Sequence, residues 1–221
     1  MNASVIETRI YETIKTYDAL KCLCYEAKEL GMQSVQVFPC MIKLCRGTLK
    51  GSGVAVNALI SYPHGGFTID QKATEAKEAV NNGADMVEVV VNTREIKSHN
   101  YGYIAREMRA VREAVPTATV KFNIEIESLT DEEAAETCKV AVESGIDIIS
   151  TSTGLYHTLD ENKNDVPLVT SVHEVELLKK AADGKLKIQA EGYISTPEIA
   201  EKLLSAGADI ISTEYAAAVL K

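Results

Sequence analysis

Three segments of this chain repeat one another: AKEAVNNGADMVEVVVN (76–92), CKVAVESGIDIISTSTG (138–154) and AEKLLSAGADIISTEYA (200–216). Each reads as a helix with apolar residues at helical spacing, then a glycine, an aspartate and an apolar strand. Gly83, Gly145 and Gly207 fit the position just past a helix C-terminus, where glycine takes positive φ without a Cβ clash. Asp85, Asp147 and Asp209 recur about every 62 residues, twice the length of one strand-plus-helix unit. A chain of 221 residues then holds roughly seven or eight such units. Strands alternating with helices through short connections imply a parallel sheet, because a parallel neighbour is reached only by a crossover.

The remaining units follow the same pattern. Strands are predicted at 4–9, 34–38, 54–61, 86–92, 119–125, 146–152, 186–190 and 209–213. Helices are predicted at 16–30, 41–49, 68–82, 101–115, 131–144, 171–182, 197–206 and 214–220. Thr130 before DEE, and Thr196 before Pro197 and Glu198, have the form of capped helix starts. The run LDENKND (159–165) reads as a solvated loop. This is an α/β chain, expected to form one (β/α)8 TIM barrel domain over residues 1–221. An open doubly wound sheet is the alternative, but no G-x-G-x-x-G follows the first strand.

Composition narrows the partners. A formal net charge of −9 leaves no basic footprint for nucleic acid or an anionic membrane surface. No stretch approaches the roughly 18–20 apolar residues of a membrane span. Five cysteines without a CxxC pair point to reduced thiols, and MNASVIETRIYETIK has no apolar targeting core, so a cytoplasmic protein is expected.

In a barrel of this kind chemistry sits at the C-terminal strand ends. Those ends read Glu7 and Arg9; Phe38-Pro39-Cys40; Ser61 to Gly66; Glu88 and Asn92; Lys121, Asn123 and Glu125; Ser150 to Gly154; Gln189 and Glu191; Thr213 and Glu214. Alternate residues share a face, so Glu88 pairs with Asn92, Lys121 with Asn123 and Glu125, and Ser150 with Ser152. A lysine between such neighbours is hard to read as packing, whereas a one-residue slip in any single strand would turn its polar face outward.

The motifs YPHGG (62–66), EAKEAVNNGADMVEVVVN (75–92), VKFNIEIESLTDEE (120–133), TSTG (151–154) and GADIISTEYAAAVL (207–220) stand in an order and spacing that resemble the 2-deoxyribose-5-phosphate aldolases over nearly the full length. The resemblance implies a (β/α)8 barrel and a class I aldol reaction, in which acetaldehyde is held as a Schiff base on lysine and joined to glyceraldehyde 3-phosphate. It places the reactive lysine directly before TSTG, where this chain has Ser150, and a second lysine at Gln189. The proton shuttle of the fourth strand falls at Glu88 in place of Asp, and the fifth-strand lysine is Lys121. Of the phosphate grip, Gly154 and Gly192 remain, while Tyr193 and Glu214-Tyr215 replace a glycine and a serine pair.

Serine and glutamine form no imine. The expectation is therefore an aldolase-like barrel acting on or binding a small carbonyl or sugar-like metabolite, without ordinary 2-deoxyribose-5-phosphate cleavage. Its candidate catalytic groups are Glu88, Asn92, Lys121 and Glu125. Its candidate substrate-binding groups are Ser150, Thr151, Ser152, Gly154, Gln189, Gly192 and Glu214. A carboxylate at 214 in a low-dielectric pocket would repel a phosphate dianion. Lys121 is the remaining barrel amine, with an ion-pair role between Glu88 and Glu125 as the competing reading. No cofactor is expected; a divalent ion on His64 and carboxylates lacks H-x-H or H-E-x-x-H spacing. A non-catalytic metabolite- or partner-binding protein that kept the fold stays open. A homodimer is expected by analogy alone.

Overall fold

A computed structural model describes residues 1–10, 16–155, 157–159 and 162–221. The apolar alternation of the strands closes them into a ring. β1 (Ile6–Ile10), β2 (Ser34–Val37), β3 (Ala55–Ile60), β4 (Met86–Val90), β5 (Thr119–Asn123) and β6 (Ile148–Ser150) pair in parallel in chain order. A two-stranded antiparallel ribbon, β7 (His157–Leu159) and β8 (Asp165–Pro167), stands apart. β9 (Lys187–Glu191) then joins β6, and β10 (Ile210–Thr213) closes the barrel between β9 and β1. The expected (β/α)8 barrel is what forms.

The helices are α1 (Tyr17–Leu30), α2 (Ile42–Thr48), α3 (Ile69–Asn81), α4 (Thr93–Lys97), α5 (Tyr101–Ala114), α6 (Asp131–Glu143), α7 (Val172–Ala182), α8 (Pro197–Ser205) and α9 (Ala216–Val219). Thr68, Thr130 and Ser171 close capping boxes, and Thr196 caps α8 ahead of Pro197. Two features escape the sequence pattern. α4 is a single short turn after β4, below the length at which helical periodicity shows. The predicted loop 159–165 is flanked by the β7–β8 ribbon; its residues 160 and 161, like 11–15, lie outside the described residues.

The repeat has a structural purpose at the N-terminal end of the barrel. The Asp85, Asp147 and Asp209 carboxylates accept the backbone N–H of Val56, Val120 and Ile188 at 2.9, 2.8 and 2.9 Å. Each also meets a cation from a neighbouring helix: Arg46 at 2.8 Å, Arg112 at 2.8 Å and Lys179 at 3.1 Å. The aspartate thus fixes where the adjacent strand begins, and with it the register of every side chain above.

Outward strand residues such as Val35, Val56, Val87, Val120, Phe122, Ile188 and Ile211 pack with the helices in one continuous apolar core. The inward face differs. Met86, Ile148 and Ile210 form a small separate apolar plug at the bottom of the barrel. Above it, alternate strands contribute polar layers: Glu7, Asn57, Lys121 and Gln189; then Gln36, Glu88, Ser150 and Ser212; then Arg9, Leu59, Asn123 and Glu191. The usual branched apolar filling is replaced almost throughout.

Candidate functional site

Period-two alternation sends these polar side chains to the barrel axis, where they meet chiefly one another. Lys121 Nζ lies 2.8 Å from Glu7 Oε2, 2.7 Å from Gln189 Oε1 and 3.9 Å from Glu88 Oε2. Its main anion is therefore Glu7, rather than the expected pair Glu88 and Glu125. Glu7 also accepts from Ser34 Oγ at 2.6 Å, Asn57 Nδ2 at 3.0 Å and Ser212 Oγ at 3.0 Å. Glu88 accepts from Gln36 Nε2 at 2.8 Å, Gln189 Nε2 at 3.0 Å, Asn57 Nδ2 at 3.1 Å and Asn123 Nδ2 at 3.3 Å. Glu191 accepts from Ser150 Oγ at 2.7 Å and Gln189 Nε2 at 2.8 Å, with Arg9 Nε at 3.3 Å.

Charge is divided unevenly among the carboxyls. Burial drives Glu88 upward, but Lys121 and the hydrogen bonds around it hold it below the ordinary glutamate value. Burial and the Glu88 charge together push Glu191 well above that value. The carboxyl oxygens of Glu7, Glu88 and Glu191 approach within 4.8 Å of one another, a spacing a divalent ion can bridge. Here Lys121 and Arg9 supply the positive charge at 2.8 and 3.3 Å.

This network is sealed. Glu7, Glu88, Lys121, Ser150, Gln189 and Glu191 are each 0% exposed. Arg9 lies over it, donating to the Thr153 carbonyl. Gly154 holds a φ of +73°, which favours glycine, and a Cβ there would sit 2.8 Å from Arg9 Nη1 and 3.2 Å from the Gly192 Cα.

The mouth proper begins above Arg9. Glu125, in left-handed backbone at φ 51°, turns its carboxyl to the hydroxyl rim, where Oε1 accepts the Thr153 N–H at 2.8 Å. Its Oε2 is buried without a hydrogen-bond partner, and burial pushes the group up to about 7. Two residues on, neither oxygen of Glu127 meets a donor in hydrogen-bonding geometry. Burial pushes it up to about 8, against the pull of the nearby Ser152 hydroxyl. The Ser152 hydroxyl accepts the Gly154 N–H at 3.0 Å, while Thr151 turns away from the axis to Thr170 at 2.9 Å and the Glu191 carbonyl at 3.0 Å. Gly192, at φ +130°, abuts Gly154. Tyr193 and Tyr215 meet edge to face, ring centroids 5.2 Å apart.

The structure thus gathers Glu88, Lys121, Ser150 and Gln189 in the sealed interior, and Glu125, Ser152, Gly154 and Gly192 at the mouth. Asn92 does not join Glu88: β4 ends at Val90, and the Asn92 side chain lies near the Tyr103 hydroxyl on α5. Glu214 is exposed, so its carboxylate is solvated and lacks the low-dielectric setting the repulsion argument needs. At the mouth the desolvated acids are Glu125 and Glu127, with Glu7, Glu88 and Glu191 buried beneath them. Ser34, Gln36, Asn57 and Ser212 were missed among the apolar residues of their strands; their signal was register with other inward polar residues, Ser34 and Ser212 beside Glu7 and Gln36 beside Arg9 and Asn57.

Against this geometry the comparisons agree with one another. Residues 6–183 match the model of the DeoC/LacD family aldolases. The chain is similar to the deoxyribose-phosphate aldolase of Thermoanaerobacter pseudethanolicus, 34% identical over 212 residues that cover 95% of this chain and 91% of that one. It is 31% identical to that of Clostridioides difficile over 216 residues, covering 98% and 94%. Among solved structures, an aldolase called QR15 superposes with a TM-score of 0.90 at 29% identity, over 99% of this chain and 93% of that one. The deoxyribose phosphate aldolase of Aeropyrum pernix, described as a tetramer, gives 0.86 at 26% identity over 99% and 88%.

Proposed function

Because the chain belongs to the DeoC/LacD aldolase family, we propose that it keeps the family's barrel as one unit but not its imine chemistry. It holds a small carbonyl or sugar-like metabolite non-covalently at the C-terminal mouth. By the resemblance, Ser150 and Gln189 stand where the family keeps its lysines, and neither forms an imine. The observation that carries the reading is the state of Lys121. Its amine is 0% exposed and committed to Glu7 at 2.8 Å and Gln189 at 2.7 Å. A carbonyl carbon has no approach to it.

In this reading Glu125, Ser152, Gly154, Gly192 and Glu214 face the metabolite. Glu88, Lys121, Ser150 and Gln189 lie beneath and hold the rim in place. Glu125, raised to about 7, is the group suited to take or give a proton near neutral pH. A coupled assay with 2-deoxyribose 5-phosphate is expected to give no turnover above background. Borohydride treatment with acetaldehyde, followed by intact mass, is expected to give no adduct. Robust cleavage, or an adduct on Lys121, would overturn the reading. A non-catalytic binder is favoured by the same sealed interior; a ligand that stabilises the protein and is recovered unchanged distinguishes it.

A further inference from the structure

We infer that the mouth recognises an organic ammonium group, so that the metabolite is an amine-bearing sugar-like compound rather than a phosphate ester. The inference rests on the reading above that the ligand sits at this mouth. Three observations converge. The Glu125 carboxyl is only 2% exposed, fixed through Oε1 by the Thr153 N–H, and presents an Oε2 with no donor. A buried acceptor of this kind costs free energy until a donor arrives. Glu127, half-buried two residues away, has neither oxygen in hydrogen-bonding geometry with a donor, though the Ser152 hydroxyl lies near.

Among the described residues, the cation that acts on Glu125 is Arg9, which pulls it downward against burial and is itself engaged by Glu191 at 3.3 Å and by the Thr153 carbonyl. The other charged or titratable groups facing Glu125 are Tyr62 and Glu88; those facing Glu127 are Glu125 and Glu174. Among the described residues, the carboxyls around Glu125 and Glu127 outnumber Arg9. Tyr193, next to Gly192, and Tyr215 pair edge to face, ring centroids 5.2 Å apart. Tyrosine faces and carboxylates favour a cation and disfavour a dianion.

The test uses three ligands on one carbon chain: 1-amino-1-deoxy-sorbitol, sorbitol and sorbitol 6-phosphate. Each is titrated against the wild-type protein by thermal shift and calorimetry, with ammonium chloride and calcium chloride as ionic controls. The amino compound is expected to raise the melting temperature with the logarithm of its concentration, and the other two to leave it unchanged. Its affinity is expected to be about tenfold or more higher at pH 8.5 than at pH 6, where both glutamates hold protons. Glu125→Gln is expected to weaken it about tenfold or more, and Glu127→Gln by less. The wild-type pH series needs no variant to fold. Preference for the phosphate, equal stabilisation by calcium, no binding of the amine, or binding indifferent to pH and to both variants would each overturn the inference. Those outcomes leave the imine result untouched, and a trapped adduct on Lys121 would leave this one untouched.

Discussion

The two ends of the barrel treat their carboxylates in opposite ways. At the N-terminal end, Asp85, Asp147 and Asp209 each accept a backbone N–H and meet an arginine or lysine. At the C-terminal mouth, Glu125 has one oxygen bonded and one bare, and Glu127 has two bare. Between them the interior acids Glu7 and Glu88 are fully answered. A carboxylate whose partners all come from the chain contributes to stability. One buried without them lowers it, and persists where something outside the chain completes it.

The contrast is open to direct attack. Lys121→Met strands Glu7 in the sealed interior; a loss of about 3–5 kcal/mol is expected in chemical denaturation. A loss below about 1 kcal/mol would mean that the interior is wetter or more adaptable than its burial indicates. At the N-terminal end, Asp147→Ala frees the Val120 N–H and the Arg112 guanidinium, with an expected cost of about 1–3 kcal/mol.

The smallest effect belongs to the mouth. Glu125 and Glu127 bind protons more tightly folded than unfolded, so the unfolded chain ionises first as pH climbs. Stability from these two groups is present in acid, falls as pH rises through about 7 and about 8, and then levels off. The double variant Glu125→Gln/Glu127→Gln should melt with a flatter dependence between pH 5 and 9 than the wild type. An unchanged slope would show that these carboxyls are solvated, and would erase the difference between the two ends.

Much of this was legible in the chain. The GAD and GID repeats gave the barrel, and the strand limits fall within two residues of those predicted. The inward course of Glu88, Lys121, Asn123, Ser150 and Gln189 followed from alternation. What pattern cannot give is which inward residue touches which. Glu7 and Lys121 are 114 residues apart and meet only because the ring closes. Asn92 shows the limit of alternation: the period stops where the strand stops, at Val90. Burial is equally non-local, since Glu214 and Glu125 read alike as acids at strand ends, yet one is exposed and the other is not.

The sequence by itself determined the architecture, because apolar period, glycine stops and capping residues act over a few neighbours. It also determined the residues at positions 150 and 189. The tertiary structure alone decided that Lys121 is sealed beneath Arg9 and that, among the described residues, Glu125 Oε2 and both Glu127 oxygens at the mouth meet no donor in hydrogen-bonding geometry. Solvent access and charge pairing depend on every strand of the closed ring at once.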